Sequence, residues 1–315
     1  MKRVRTAVVG CGFWGRNQIR VLSELPNVEL VGICDVDRGT VKELTKRYKV
    51  KGFIELHRLL LEDVDAITIC TPTTTHYKVA SEALKAGIHT LIEKPMTATV
   101  REAETLIELA ENANTSISVG FIERFNPAVR YVKGLIDDGK AGKVILIMAR
   151  RVSRWPNRIG DVGVLKDSAI HDVDVMRYIL DSDVTSVYAK AGSLQHKYED
   201  YSEIMVHFNN GAVGFIDANW LTPRKTRNLV VTGSDATIHL NYLTQEVVVE
   251  DSNKSVRPNL RWEEPLKTEL RNFIDSILEG RRPSPDGIDG LKALKICEAA
   301  LESSKTGDVI ELTDN

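Results

Sequence analysis

From residue 4 to about residue 122, short β-branched runs alternate with longer stretches whose apolar residues recur at helical spacing. The runs predict strands at residues 4–9, 28–34, 66–70, 88–92 and 117–121, and the stretches between them predict helices at 14–25, 40–48, 75–86 and 99–112. Strands separated by helices need crossover connections. The pattern therefore predicts a mostly parallel sheet with helices on both faces, a doubly wound α/β domain.

After Asn126-Pro127 the pattern changes. A helix at 128–136 ends at Asp137-Asp138-Gly139, a strand follows at 144–149, and a second helix spans 165–180. Strands are then predicted at 184–191, 201–208, 212–220, 228–233, 237–241 and 246–250, joined by turn signals such as Asn209-Asn210-Gly211. Consecutive strands with short turns read as an antiparallel meander, so the second part is expected to be α+β with one large open, mostly antiparallel sheet. Helices at 266–279 and 288–304 close the chain. The expected division is a dinucleotide-binding domain at 1–122 and a substrate-binding and oligomerisation domain at 123–315, in keeping with 315 residues at about 150 per domain.

Composition narrows the function. With 43% apolar and 27% charged residues the chain is an ordinary globular protein, and no apolar run approaches the roughly 20 residues that cross a bilayer. The basic start and the apolar run behind it are cut by Gly10, Gly12 and Gly15 with no cleavage signal, so a cytoplasmic protein without a membrane partner is expected. Cys11, Cys34, Cys70 and Cys297 show no Cys-x-x-Cys spacing, so neither a disulfide nor a metal site is expected. A net charge of −2 offers no general field for nucleic acid.

Gly10-Cys11-Gly12-Phe13-Trp14-Gly15 follows the first strand and opens the first helix. In that setting Gly10 makes the tight turn, Gly12 lets a pyrophosphate approach the backbone, Gly15 packs helix on strand, and the helix start offers unpaired N–H groups. Asp35 ends the second strand twenty residues after Gly15, where a carboxylate accepts hydrogen bonds from a ribose and repels a 2′-phosphate. NAD is expected over NADP, with Arg38 softening the preference.

Two further strand ends carry polar clusters, Cys70-Thr71-Pro72 leading to His76, and Glu93-Lys94-Pro95. Ligands of such sheets bind beyond these ends, and a lysine before proline is kept extended. On a wheel of about 100° per residue, Ala169, Val173, Met176 and Leu180 form an apolar stripe, with Asp167, His171, Asp174 and Tyr178 opposite. Asp167 and His171, spaced i, i+4, can touch, so the carboxylate can orient the imidazole. A merely solvated face is the other reading.

In their order, Gly10-x-Gly12-x-x-Gly15, Glu93-Lys94-Pro95, Gly120-Phe121-Ile122-Glu123-Arg124-Phe125-Asn126-Pro127 and Asp167-x-x-x-His171 behind Gly160-Asp161-Val162-Gly163 resemble the glucose-fructose oxidoreductase, inositol dehydrogenase and rhizopine-catabolism family, Gfo/Idh/MocA. The resemblance implies a Rossmann domain followed by an open-faced sheet domain, with the active site between them. It gives Lys94 to the nicotinamide and the reacting hydroxyl, makes His171 the general base beside Asp167, and allows a cis bond before Pro95. It puts Phe13, Trp14, Thr71, Pro72, His76 and Glu93 with the glycines and Asp35 at the cofactor, and Arg124 and Asn126 at the substrate. The stretch before the Asp/His helix is less glycine-dense than the family pattern.

The family acts mainly on sugars, cyclitols and sugar nucleotides. Arg150, Arg151, Arg154 and Arg158 are interleaved with Trp155, and Arg224, Lys225 and Arg227 form a second basic group. Arginine forks suit phosphate oxygens and Trp155 suits stacking on a base or sugar; the same residues could be solvated or paired with acids at a subunit interface. The stretches 119–129 and 166–174 resemble prokaryotic members that oxidise UDP-N-acetylglucosamine at its 3-hydroxyl. An NAD-dependent dehydrogenase of a nucleotide sugar is expected, with a cyclitol or free-sugar dehydrogenase and a non-catalytic NAD-binding regulator as alternatives. An apolar sheet face left open favours a homodimer or homotetramer.

Overall fold

The computed structural model describes residues 3–156 and 161–312 and divides into two compact units. The first comprises residues 1–121 and 266–292. Its sheet has six strands, β1 (Val4–Val9), β2 (Val28–Cys34), β3 (Lys51–Phe53), β4 (Ala66–Ile69), β5 (His89–Ile92) and β6 (Ile117–Val119), all parallel in the order β3-β2-β1-β4-β5-β6. The direction of winding reverses between β1 and β4, which opens a crevice beyond their carboxyl ends.

The helices are α1 (Phe13–Glu24), α2 (Arg38–Tyr48), α3 (Leu56–Leu60), α4 (Thr73–Lys85), α5 (Val100–Asn112) and, from the later segment, most of α8 (Pro265–Glu279), numbered after α6 (Pro127–Asp137) and α7 (Ile170–Leu180) of the other unit. Start signals in the sequence are used as such: Asp37 caps α2 through the Thr40 N–H, and Thr99 and Glu102 form a reciprocal capping box on α5. Strand β3 and helix α3 were not expected. Lys-Gly-Phe has neither β-branching nor alternation, and it forms a strand only because the edge of β2 is there to pair with.

The second unit comprises residues 122–265 and 293–315. Its strands are β7 (Val144–Arg154), β8 (Val184–Gly192), β9 (Tyr201–Phe208), β10 (Val213–Asn219), β11 (Leu221–Gly233), β12 (Thr237–Asn241), β13 (Glu246–Glu250), β14 (Ser255–Val256) and β15 (Ile310–Glu311), in the order β14-β13-β12-β11-β7-β10-β9-β8-β15. The expected meander is corrected in one respect. Strand β7 inserts between β10 and β11 and runs parallel to β10, while every other pairing is antiparallel. β7 and β11 are also longer than their apolar cores suggested, because each continues along the other through Arg154 and Leu221.

Alternation divides this sheet into two faces. Ile147, Ala149, Ile204, Val206, Ile216, Ala218, Leu229 and Val231 are buried on one. There α7 (Ile170–Leu180) packs on β7 and β10, so closely that a side chain on Gly214 would press on Met176 Sδ. On the other face the register aligns Tyr188, Met205, Phe215, Met148, Val230, His239 and Val248 in one row across seven strands. Met148 and Phe215 are exposed in it. Helix α6 (Pro127–Asp137) starts at Asn126, whose side chain caps it, and α9 (Gly287–Thr306) contains the boundary between the units.

Candidate cofactor and catalytic residues

In the first unit the three glycines have three different surroundings. Gly10 has φ +88°, and a Cβ there would lie 2.6 Å from the backbone of Cys70 and Thr71. A Cβ on Gly15 would collide with the Gly10 carbonyl. At Gly12, the N-cap of α1, a Cβ would meet nothing within 4 Å. Two glycines thus close the turn, and the third leaves open space in front of the first helical N–H groups, where a pyrophosphate fits.

Asp35 is half-buried at the end of β2, and its carboxylate accepts from the Cys11 N–H (2.6 Å) and the Asp37 N–H (2.8 Å). It braces the glycine turn and keeps lone pairs for a ribose. Burial, with Asp35 second, pushes the Cys11 thiol up to about 12, and burial pushes Cys34 up to about 11. These thiols are packing groups, not nucleophiles. Phe13 is exposed at the start of α1 and meets the half-buried Trp14 edge to face.

Thr71 and Pro72 stand at the end of β4, with Pro72 as N-cap of α4 and Thr71 Oγ1 accepting from Thr75 Oγ1 at 2.8 Å. His76 is buried, its Nδ1 2.9 Å from the Pro95 carbonyl and its Nε2 2.8 Å from the Thr71 carbonyl. Glu93 accepts from Gln18 Nε2 at 2.8 Å and lies against Gly120, where a Cβ would be 2.9 Å from its Oε2. Lys94 is half-buried at the end of β5, and its bond to Pro95 is cis.

In the second unit, residues Leu165–Ala169 form a π-helical turn that runs into α7. A uniform wheel does not anticipate this widening, which recurs at functional sites. Asp167 lies in the turn and His171 in the first turn of α7; both are nearly buried. The Ser168 hydroxyl donates to Asp167 Oδ2 at 3.1 Å, and Trp220 Nε1 donates to Ser168 Oγ at 3.2 Å. The aspartate is thus oriented by a short donor chain from the end of β10. Behind it, a Cβ on Gly163 would run into the Glu199 carboxylate, whose pKa burial raises.

The stripe read as polar is not solvated: Asp167, His171 and Asp174 are all buried, and Asp172 beside it is 0% exposed. Asp172 takes a two-pronged contact from Arg151 (Nε 2.6 Å, Nη2 3.1 Å), and Glu123 takes Arg151 Nη1 at 3.0 Å and Arg227 Nη1 at 3.4 Å. Burial alone would lower the Arg151 pKa, but Asp172 and Glu123 outweigh it and raise it. Sequence reasoning missed this group. The signal was present: acids flanked by Ile170, Val173 and Val175 need cations, and Arg151 falls on the inward phase of β7 beside Ala149.

Three residues expected at a substrate also make contacts within the unit. Arg124 pairs with Asp174 and lies over the Tyr178 ring at 5.1 Å. Asn126 donates to the Tyr242 carbonyl at 3.0 Å while capping α6. Trp155 stacks on His196, ring centroids 3.3 Å apart, with Trp220 edge-on. Arg154 is exposed at the end of β7, and Arg150 pairs with Asp217. Arg158 and Gly160 lie outside the described residues. Among the described residues no group of three or more His, Cys, Asp or Glu is arranged for a metal, and no helix is long and apolar enough to cross a membrane.

Comparison with known proteins identifies the family of both domains. The model of the oxidoreductase family with an NAD-binding Rossmann fold matches residues 4–121, and that of the Gfo/Idh/MocA C-terminal domain matches 129–239. The chain belongs to the Gfo/Idh/MocA family. It is an oxidoreductase with an NAD-binding Rossmann fold. It is 27% identical to UDP-N-acetylglucosamine 3-dehydrogenase of Acidithiobacillus ferrooxidans (93% of this chain, 95% of the relative). It is 28% identical to scyllo-inositol 2-dehydrogenase (NAD(+)) of Bacillus subtilis (98% and 96%). A crystal structure of the Acidithiobacillus enzyme superimposes with a TM-score of 0.89 at 26% identity, over 96% of this chain and 98% of that one.

Proposed function

We propose that this member of the family oxidises a secondary hydroxyl of a sugar with NAD, and that its substrate is a nucleotide sugar such as UDP-N-acetylglucosamine, attacked at the 3-hydroxyl. The observation that carries the catalytic reading is the oriented Asp167: a carboxylate aligned by Ser168 and Trp220, one turn before a nearly buried histidine. A pure NAD binder has no use for that apparatus. NAD, which the glycine turn and Asp35 would hold, would supply the hydride acceptor for the carbinol carbon. His171 takes the hydroxyl proton, Asp167 holds its ring, and Lys94 favours the developing alkoxide.

The Asp35 carboxylate supports NAD over NADP, since a 2′-phosphate would face a negative charge. The substrate class rests on similarity to the nucleotide-sugar enzyme and on exposed Arg154. Similarity to inositol dehydrogenases supports a cyclitol as the second reading. The exposed apolar side chains Met148 and Phe215 in the row on the other sheet face support a homodimer or homotetramer, and four free cysteines suit the cytoplasm.

The experiment is absorbance at 340 nm with NAD or NADP against UDP-N-acetylglucosamine, N-acetylglucosamine, myo- and scyllo-inositol and free hexoses. Turnover confined to the nucleotide sugar is expected. Equal rates on the bare sugar would remove the nucleotide from recognition, and turnover of inositols alone would select the second reading.

A further inference from the structure

His76 makes a contact pattern that a cofactor ligand does not need. Each ring nitrogen lies within 2.9 Å of a main-chain carbonyl, Nδ1 on Pro95 and Nε2 on Thr71. A carbonyl oxygen only accepts, so a ring nitrogen donates here only when it carries a proton, and the protonated ring donates to both carbonyls and bridges the loop after β5 and the loop after β4. It stands in the first turn of α4, a 13-residue helix, and is 2% exposed. On the other side of Lys94, the Glu93 carboxylate is held by the fully buried Gln18 and seated on Gly120. Lys94 is therefore the residue between two anchored neighbours.

We propose that His76 is a positioning residue: by tying the Pro95 carbonyl to the Thr71 carbonyl it fixes the backbone that carries Lys94, while Gln18 fixes the same backbone through Glu93. This rests on the catalytic reading of Lys94 given above. The two bonds of His76 differ in what they do. The Nδ1 bond grips the residue next to Lys94, whereas the Nε2 bond returns to the loop from which α4 itself starts. Only the first acts on the lysine.

The distinction can be tested with amides that copy one nitrogen each. Asparagine places its NH2 near the position of Nδ1, and glutamine near Nε2. With the substrate found by the absorbance screen, His76→Phe is expected to lower kcat at least ten-fold with NAD affinity, read by tryptophan fluorescence, held within two-fold. His76→Asn should recover most of that loss, and His76→Gln little of it. In a Lys94→Ala background the His76→Phe change should cost less than two-fold, because the group it acts through is gone. Equal rescue by both amides, or an undiminished loss without Lys94, would overturn the proposal.

A second arm needs no turnover. The Glu93 N–H, bonded to the Ile69 carbonyl at 3.0 Å, lies at the root of the loop, and the Val41 N–H in α2, bonded to the Asp37 carbonyl at 3.1 Å, serves as control. His76→Phe, or His76→Gln if the first does not fold, should speed hydrogen exchange at Glu93 at least ten-fold and leave Val41 unchanged. Unchanged exchange at Glu93 would overturn the clasp even if no alcohol were oxidised; faster exchange with no turnover would place the fault in the catalytic reading.

Discussion

Arg124 and Asp174 meet fork to fork, Nε to Oδ2 at 2.8 Å and Nη2 to Oδ1 at 2.6 Å, with both side chains almost fully removed from solvent. They stand fifty positions apart in the chain, and their contact joins the 3₁₀ turn Ile122–Phe125 to α7. One residue earlier, Glu123 turns to Arg151, which holds Asp172 of the same helix. The helix that carries His171 is thus anchored by two arginines whose charges are matched within the unit.

Removing one partner of such a pair leaves a buried charge behind, at a cost of about 3–5 kcal/mol. Arg124→Ala should therefore lower stability by that amount in urea unfolding, whereas Arg124→Met with Asp174→Leu should recover much of it. A stable Arg124→Ala enzyme with only a raised KM would return Arg124 to the substrate.

Asp35→Ala removes the acceptor of the Cys11 and Asp37 N–H groups as well as the charge facing a ribose. NAD binding, titrated by fluorescence quenching, should weaken, and the gap between NAD and NADP should narrow. Unchanged affinity for both would place Asp35 outside the cofactor site.

His171→Ala is expected to retain NAD binding and lose roughly two to four orders of magnitude in turnover, the usual worth of a positioned general base. Turnover within a few-fold of the parent between about pH 6 and about pH 9 would show that another group takes the proton.

Burial raises the Glu199 carboxyl, so its stabilising contribution is present below the ordinary carboxylate range and is lost as pH rises through the raised value. Glu199→Gln keeps the shape beside Gly163 and cannot ionise. Its Tm should exceed the parent's near about pH 8, with the advantage shrinking toward about pH 4. A difference that does not change with pH would mean that this carboxyl titrates normally.

If the apolar row of the open sheet pairs copies of the chain, Met148→Lys with Phe215→Glu should shift the mass in light scattering toward the monomer without unfolding the unit, since both side chains are exposed. An unchanged mass would place any interface elsewhere.

Much of this was legible in the chain because it depends on neighbours in sequence. The Rossmann alternation and the three glycines are local events. What was not legible depends on partners far away. β3 is a strand only beside β2. Arg124, Asn126 and Trp155 carry the residue types of a ligand site, and only the folded unit shows their contacts with Asp174, Tyr242 and His196. The π turn at Leu165–Ala169 leaves no mark in the helical period, because a period is an average over turns and one wide turn barely moves it.

The first unit is completed by residues that come almost last. β6 ends the run of strands near residue 119, yet Ser118 Oγ and the Val119 N–H both donate to the Pro285 carbonyl, at 3.1 and 3.4 Å. Gly290 packs against Val119 and Met96 so closely that a Cβ would be 2.8 Å from the valine. A ribosome releasing this chain therefore produces the whole second sheet through β14 while the unit begun first still lacks these contacts of its outermost strand. A fragment cut at residue 121 should for the same reason expose β6 as a bare edge and aggregate, whereas one that rejoins 266–292 through a short linker should not.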